Sequence, residues 1–227
     1  LGGCSSINGM IYIRGQARDY DQWRQMGNTG WGWDDVLPYF TKSEDQYALD
    51  VDEMHGSGGE WRVERQRLRW DILDAFRDAA EQAGIPKIDD FNRGNNEGCS
   101  YFHVNQKRGW RWSTAKGFLK PVKDRANLQV FTHAQVKNLR MEHGQAVGAN
   151  LLHNGEDAVI DAKGEVILAA GAIGSPQILQ LSGIGPGALL NAHGIDVVHE
   201  LSAVGENLQD HLQIRTVYKV QGTKTLN

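Results

Sequence analysis

The run EVILAAGAIGSPQ, residues 165–177, constrains the fold more than any other part of this chain. Five apolar residues in a row, Val166 to Ala170, are too few for a helix of ordinary length. They suit a strand covered on both faces, as in a parallel sheet flanked by helices. Gly171 and Gly174 then read as a turn, Ser175 as a helix N-cap, Pro176 as the first helical residue and Gly183 as the stop. Strand, glycine turn and helix in this order predict an α/β protein. The start of such a helix favours an anion or the polar edge of a cofactor. Without Gly-x-Gly-x-x-Gly, a cofactor contact and an ordinary α/β turn both stay open.

Upstream, NLQVFTH, AQVKNLRM, AVGANLLH and AVIDA are short β-rich runs divided by polar or glycine turns. They predict strands near 128–132, 135–142, 146–153 and 157–162, with 165–170 as the last. The first half reads differently. It holds all seven tryptophans, and it predicts helices over 34–43 and about 71–83, the second stopped by Gly84. Residues 46–60 read as a polar surface loop, and a helical turn is expected after Ser113. The shift in composition places a boundary near Pro121.

The chain opens LGGCSSINGMIYIRG. Glycines let a backbone approach another body closely, and Ser and Asn add short-reach donors and acceptors. The stretch fits a loop pressed on a ligand or a tight turn before a strand. Glycine makes up 27 of 227 residues, about 12%, against a usual ~7%. A net charge of −4 offers no basic surplus for nucleic acid. No stretch approaches the ~18 apolar residues of a membrane span. Cys4 and Cys99 are far apart, with no zinc spacing, so no disulfide framework or metal is expected and the cytoplasm is the default compartment. The absent initiator Met and the start inside a motif read as a processed or truncated piece.

Candidate chemistry is sparse. None of the eight histidines has metal spacing, and each, His55 included, reads as a packed or surface residue. His211 clusters with Asn207 and Asp210, which fits a loop bracing its own backbone better than catalysis. No Gly-x-Ser-x-Gly elbow surrounds Ser5, Ser6, Ser175 or Ser182. Cys4 reads as a small free cysteine. The four arginines of RVERQRLRW read as a solvated face rather than a phosphate site.

GGCSSINGMIYIRG, TGWGWDDVLPYF, HGSGGEW, WRWSTAKGFL, GAIGSPQILQLSGIGP and VGENLQDH, in this order, resemble the glucose-methanol-choline (GMC) flavin oxidoreductases, and most of all bacterial choline dehydrogenases and related alcohol dehydrogenases. The resemblance implies FAD. Gly2, Gly3, Ser5 and Ser6 would let backbone and hydroxyls approach it, Asn8 would bond near its ribityl–pyrophosphate part, and Gly9 would leave room at the flavin edge. Val136 would touch the adenine through its backbone, with Ala170, Gly171 and Ala172 near the FAD-binding sheet. Ile7 stands where some relatives attach FAD through a histidine, so non-covalent FAD is implied. Trp31, Trp33 and Arg111 would be framework positions that pack and hydrogen bond.

The implied fold is a partial FAD/NAD(P)-binding Rossmann-like domain, α/β with α+β elements and a β-meander. Residues 1–120 would hold the FAD-contact loop and a helical, irregular extension. Residues 121–214 would be the FAD-binding core, and 215–227 the start of a substrate domain. The family's Gly-x-Gly-x-x-Gly and catalytic histidine match nothing here, so no catalytic residue is named. The implied parent reaction oxidises a primary alcohol, choline or similar, to the aldehyde by hydride transfer to flavin. Alternatives are a non-catalytic GMC-derived module and a GMC-type hydroxynitrile lyase. The stretch by itself is expected to bind FAD weakly and turn over nothing. The electron acceptor, homo-oligomer formation and membrane association of the parent stay open.

Overall fold

The computed structural model describes residues 1–225. They fall into two compact units, Leu1–Leu128 with the residues from Tyr218 onward, and Gln129–Val217.

In the first unit, α1 (Ala17–Gln25) and α2 (Trp33–Ser43) each begin with a carboxylate that reaches back. Asp19 accepts the Gln16 N–H at 2.8 Å, and Asp35 accepts the Gly32 N–H at 2.9 Å. Each satisfies a donor at a helix start that has no partner inside the helix. Helix α2 thus begins at Trp33, with Gly32 rather than an aspartate as its cap. Tyr20, Trp23, Trp33 and Phe40 close the space between the helices, with ring centroids 5.5–5.8 Å from Tyr20. Trp33 is buried there.

Strand β1 (Glu44–Gln46) pairs parallel with β2 (Trp61–Arg65). After α3 (Asp71–Gln82), β3 (His103–Val104) joins β2 antiparallel. Residues Met10–Tyr12 extend this sheet, because Tyr12 N–H donates to the His103 carbonyl and Asn105 N–H to the Met10 carbonyl. A short ribbon, β4 (Gln106–Lys107) and β5 (Trp110–Arg111), leads to a π-helical turn at Ala115–Leu119, the turn expected after Ser113.

Helix α3 has its expected bounds, and Gly84 ends it at φ +86°. Its apolar face is only partly covered: Ala80 is buried, while Leu73 and Phe76 stay exposed. The loop over 46–60 is no simple surface excursion. A Cβ on Gly56 would lie 1.9 Å from the Thr41 carbonyl oxygen, and one on Gly59 would lie 2.4 Å from Ser43 backbone. Only glycine lets this loop press on the end of α2.

That loop delivers His55 to a buried network. The Glu44 carboxylate accepts from Arg14 Nη2 at 3.0 Å, from the Gly56 N–H at 2.9 Å and from His55 Nδ1 at 3.1 Å. His55 Nε2 meets Asp90 at 2.9 Å. Arg14 also donates to the Met54 carbonyl and the Tyr12 hydroxyl. Asn92 Oδ1 accepts the Arg14 N–H at 2.7 Å. Glu44 is 0% and His55 1% exposed. Burial alone lowers the His55 pKa, but the hydrogen bonds and charges of Asp90 and Glu44 outweigh it and hold it at about 9. Burial likewise raises Asp90, yet His55 and the Asn92 N–H keep it below the usual carboxylate value.

In the second unit, β6 (Ala134–Glu142), β7 (Gln145–His153) and β8 (Glu156–Asp161) form an antiparallel meander. Its two-residue turns, His143-Gly144 and Asn154-Gly155, have positive φ at both positions, which matches the right-handed twist of the flanking strands. Helix α4 (Gly171–Leu181) lies on β6, where Ser182 Oγ accepts the Leu139 N–H at 2.7 Å and Leu139, Leu151 and Ile178 are buried. Strand β9 (Ile184–Gly185), helix α5 (Gly187–Ala192) and strand β10 (His199–Glu200) follow, with β9 and β10 parallel.

Two expected strands are absent, over 128–132 and 165–170. A strand buried on both faces needs neighbours on both edges, and no strand among the described residues pairs with 165–170. Ile167 is 80% exposed. Helix α4 also starts four residues before Ser175, so Pro176 lies inside it. Ser175 still satisfies a donor near the helix start, because its hydroxyl accepts the Ala170 N–H at 3.0 Å. Gly183 ends the segment at φ +79°.

Removing one partner from a buried ion network leaves the others uncompensated. Glu44→Gln is therefore expected to lower stability by about 3–5 kcal/mol in urea unfolding. A histidine with a raised pKa stabilises fully below its ordinary value of 6.5, and the contribution is lost as pH rises through about 9. Unfolding free energy measured from neutral pH to beyond this value should fall, and His55→Gln should flatten the decline.

Candidate functional site

The opening loop is shaped by its own hydrogen bonds. Gly2 takes φ +95°, and Gly3–Ser6 forms one 3₁₀ turn. Its end is closed by the Ile7 and Asn8 N–H groups, both donating to the Cys4 carbonyl. A Cβ on Gly2 would lie 2.4 Å from Ser6 Oγ and 3.3 Å from Ala115 Cβ, and at φ +95° any side chain is strained.

A second segment latches the loop from inside. Thr114 donates its N–H to Ser5 Oγ at 2.9 Å and its hydroxyl to the Gly2 carbonyl at 3.0 Å. Ser5 Oγ itself donates to the Gly2 carbonyl. Arg111 Nη1 reaches the carbonyls of Ser5 (3.1 Å) and Asn8 (2.7 Å) and the Asn8 side-chain oxygen (3.0 Å). That same oxygen accepts the Met10 N–H. Met10 sits at φ +64° and turns the chain into the sheet. Lys116 Nζ anchors the Arg111 carbonyl at 2.8 Å.

The other edge of the loop is open. Ile7 is 85% exposed, and an added Cβ on Gly3 or Gly9 would meet nothing within 4 Å. Ser6 donates to the Leu1 carbonyl. The Asn8 amide nitrogen meets no acceptor among the described residues. The chain thus spends its inner polar atoms on holding the loop, and it leaves glycine backbone and one amide facing outward.

Gly2, Gly3, Ser5, Ser6, Asn8 and Gly9 are brought together in the first unit. Val136 lies on β6 opposite Leu151, and Ala170 and Gly171 (φ +87°) lie at the start of α4, all in the second unit. Arg111 hydrogen bonds as expected of a framework residue, and Trp33 is buried. Trp31 stays 55% exposed, edge-on to Trp23 at 6.0 Å. Asn207 takes φ +55°, and its carbonyl accepts from Gln209 in an otherwise exposed stretch. Among the described residues no group of three His, Cys, Asp or Glu is placed to hold a metal. Sequence reading missed His55 as the centre of a buried network. The signal was present in HGSGGEW, whose glycines carry the histidine inward.

A family model described as GMC oxidoreductase matches residues 1–213. The chain belongs to the GMC oxidoreductase family. Over its whole length it is 41% identical to an oxygen-dependent choline dehydrogenase of Photobacterium profundum, of which it covers 40%. Over 94% of its length it is 42% identical to an alcohol dehydrogenase [acceptor] of Pseudomonas putida, of which it covers 39%. The chain thus spans about two fifths of the length of these curated relatives. Among solved structures it is similar to an FAD-dependent oxidoreductase from Chaetomium thermophilum, with TM-score 0.84 and 30% identity over 88% of this chain and 37% of that one. It is also similar to pyridoxine 4-oxidase from Mesorbium loti, with TM-score 0.81 and 32% identity over 87% of this chain and 39% of that one.

The residues of this GMC chain fit the family's flavin dinucleotide. Gly3 and Gly9 leave side-chain volume empty along the open edge, and the Asn8 amide supplies a donor beside it. An extended, polar and partly flat ligand needs close backbone approach of this kind.

The two glycines separate shape from space. Gly2→Ala puts a Cβ into Ser6 Oγ in a left-handed conformation and should cost about 1–3 kcal/mol in denaturant unfolding. Gly3→Ala meets no atom and should cost only about 1 kcal/mol.

Proposed function

We propose that the protein of which these residues form part oxidises a primary alcohol, choline or a similar one, to the aldehyde with non-covalently bound FAD. The observation that carries this reading is the glycine loop latched by Arg111 and Thr114, open on its outer edge, in a chain that matches the family over residues 1–213. The relatives named choline dehydrogenase and alcohol dehydrogenase support the substrate class.

When bound, FAD supplies the acceptor for the hydride that leaves the alcohol carbon. The roles of this chain are binding and orientation. Gly2, Gly3 and Gly9 let the loop backbone lie along the cofactor. Arg111 holds the Asn8 oxygen, which leaves the Asn8 amide to donate outward. Ser5 and Ser6 keep the loop's turn in place through the Gly2 and Leu1 carbonyls. By the resemblance, Val136 is assigned to the adenine through its backbone, and Ala170 and Gly171 to the FAD-binding sheet. A loop fixed before the ligand arrives loses less entropy on binding and places the flavin more sharply against the substrate carbon. Ile7 carries no nucleophilic atom, which supports attachment without a covalent bond at that position. No helix among the described residues is long and apolar enough to cross a membrane.

The test uses the protein at its full natural length. Purified protein should show flavin absorbance, release the flavin on acid precipitation, and reduce a dye when choline or another primary alcohol is added. Arg111→Met should weaken FAD binding about tenfold, the scale of losing one hydrogen bond to a charged group. A full-length protein without flavin would overturn the reading in favour of a non-catalytic module.

A further inference from the structure

The four arginines of the 62–69 stretch are not all spread over a solvated face. Arg65 and Arg69 turn toward one cavity of about 200 Å³, which Arg77 of α3 also lines. Of the lining residues only Asp89 carries a carboxylate. His103, also in the lining, is buried, and burial lowers its pKa.

Each guanidinium is held differently. Arg65 Nε donates to the Ala48 carbonyl at 2.9 Å, and the residue lines the cavity. Arg69 Nε is paired with Asp74 at 2.7 Å, and Asp74 also accepts the Tyr101 hydroxyl at 2.9 Å. Arg77 lies over the Tyr101 ring, its guanidinium carbon 5.2 Å from the centroid. Its Nε is out of contact with solvent and has no hydrogen-bond partner. A buried donor left unmade is costly. With Nε sealed off, only the two terminal nitrogens of Arg77 can meet a ligand in the cavity, as a two-pronged donor.

We propose that this cavity is an oxyanion site that takes a phosphate group, as inorganic phosphate or as a phosphate monoester. The fork of Arg77 would hold two phosphate oxygens and Arg65 would supply further positive charge, while Arg69, exposed and already paired with Asp74, adds less. Guanidinium forks match phosphate geometry and bind it through short charge-assisted bonds. The volume exceeds several times the ~30 Å³ share of one water, enough for a hydrated phosphate. Leu68 and Phe102 in the lining give the organic part of a monoester an apolar seat. Asp89 opposes the bound charge directly, and Asp74 does so through its pair with Arg69. The site is distinct from the glycine loop and does not depend on the flavin reading.

Equilibrium dialysis of radiolabelled inorganic phosphate against the full-length protein, at constant ionic strength in chloride, tests the assignment. One saturable equivalent is expected. Arg77→Met should weaken binding roughly tenfold or more, and Arg77→Lys nearly as much, because a lysine keeps the charge but loses the fork. Asp89→Asn should tighten it severalfold. Phenyl phosphate, run as a competitor, separates the two sources: tighter binding than inorganic phosphate assigns the site to an ester, weaker binding to the free ion. The proposal falls if wild-type protein binds no phosphate, if chloride competes equally, or if phosphate displaces bound flavin instead. It also falls if Arg77→Met binds like wild type. Should Arg77→Met fail to fold, unchanged binding by Asp89→Asn overturns it.

Discussion

The first unit is organised around one carboxylate. Glu44 receives Arg14, His55 and the Gly56 N–H at once, and His55 passes the network on to Asp90. Charges taken out of water are tolerated only when each is paired and hydrogen bonded. This network meets that condition with two cations and two anions from four separate stretches of chain. It ties the strand after the glycine loop, the end of α2, the HGSGG loop and the Asp90–Asn92 turn to one point. None of these segments can shift without stranding a buried charge.

From that point the structure runs outward to the loop. Met10–Tyr12 is held in the sheet by residues 103–105, and the chain just before it is held by Arg111 and Thr114. The result is asymmetric. Polar atoms on the inner edge are consumed by the protein, and the outer edge keeps bare backbone and the Asn8 amide. Under the proposed function, a loop built this way is ordered before its ligand arrives, which suits a cofactor that must present one reactive edge.

Much of the local structure was legible because it depends on near neighbours. The spacing of Ile72, Leu73, Phe76 and Ala80 defined α3, and Gly84 marked its end. The turns expected between the β-rich runs include Asn154-Gly155, a pair that accepts positive φ twice. Readings that needed distant partners failed. Val166–Ala170 has the composition of a buried strand, yet pairing depends on neighbours, and none of the described residues provides them. Ser175 looked like a cap, and it does bind a free N–H, but from inside a helix that starts earlier at Gly171. His55 looked ordinary because its partners, Glu44 and Asp90, are 11 and 35 residues away.

The sequence by itself determined the family, the class of cofactor and the places where backbone must turn left-handed, because motif order, glycine positions and helical periodicity are written in adjacent residues. Only the tertiary structure decided which charges are buried together, which hydroxyls are spent on the loop's own turn, and that Arg65, Arg69 and Arg77 line one cavity. Those outcomes rest on hydrogen bonds and desolvation between residues far apart in the chain. Such energies are set by distance in space, and no local pattern records it.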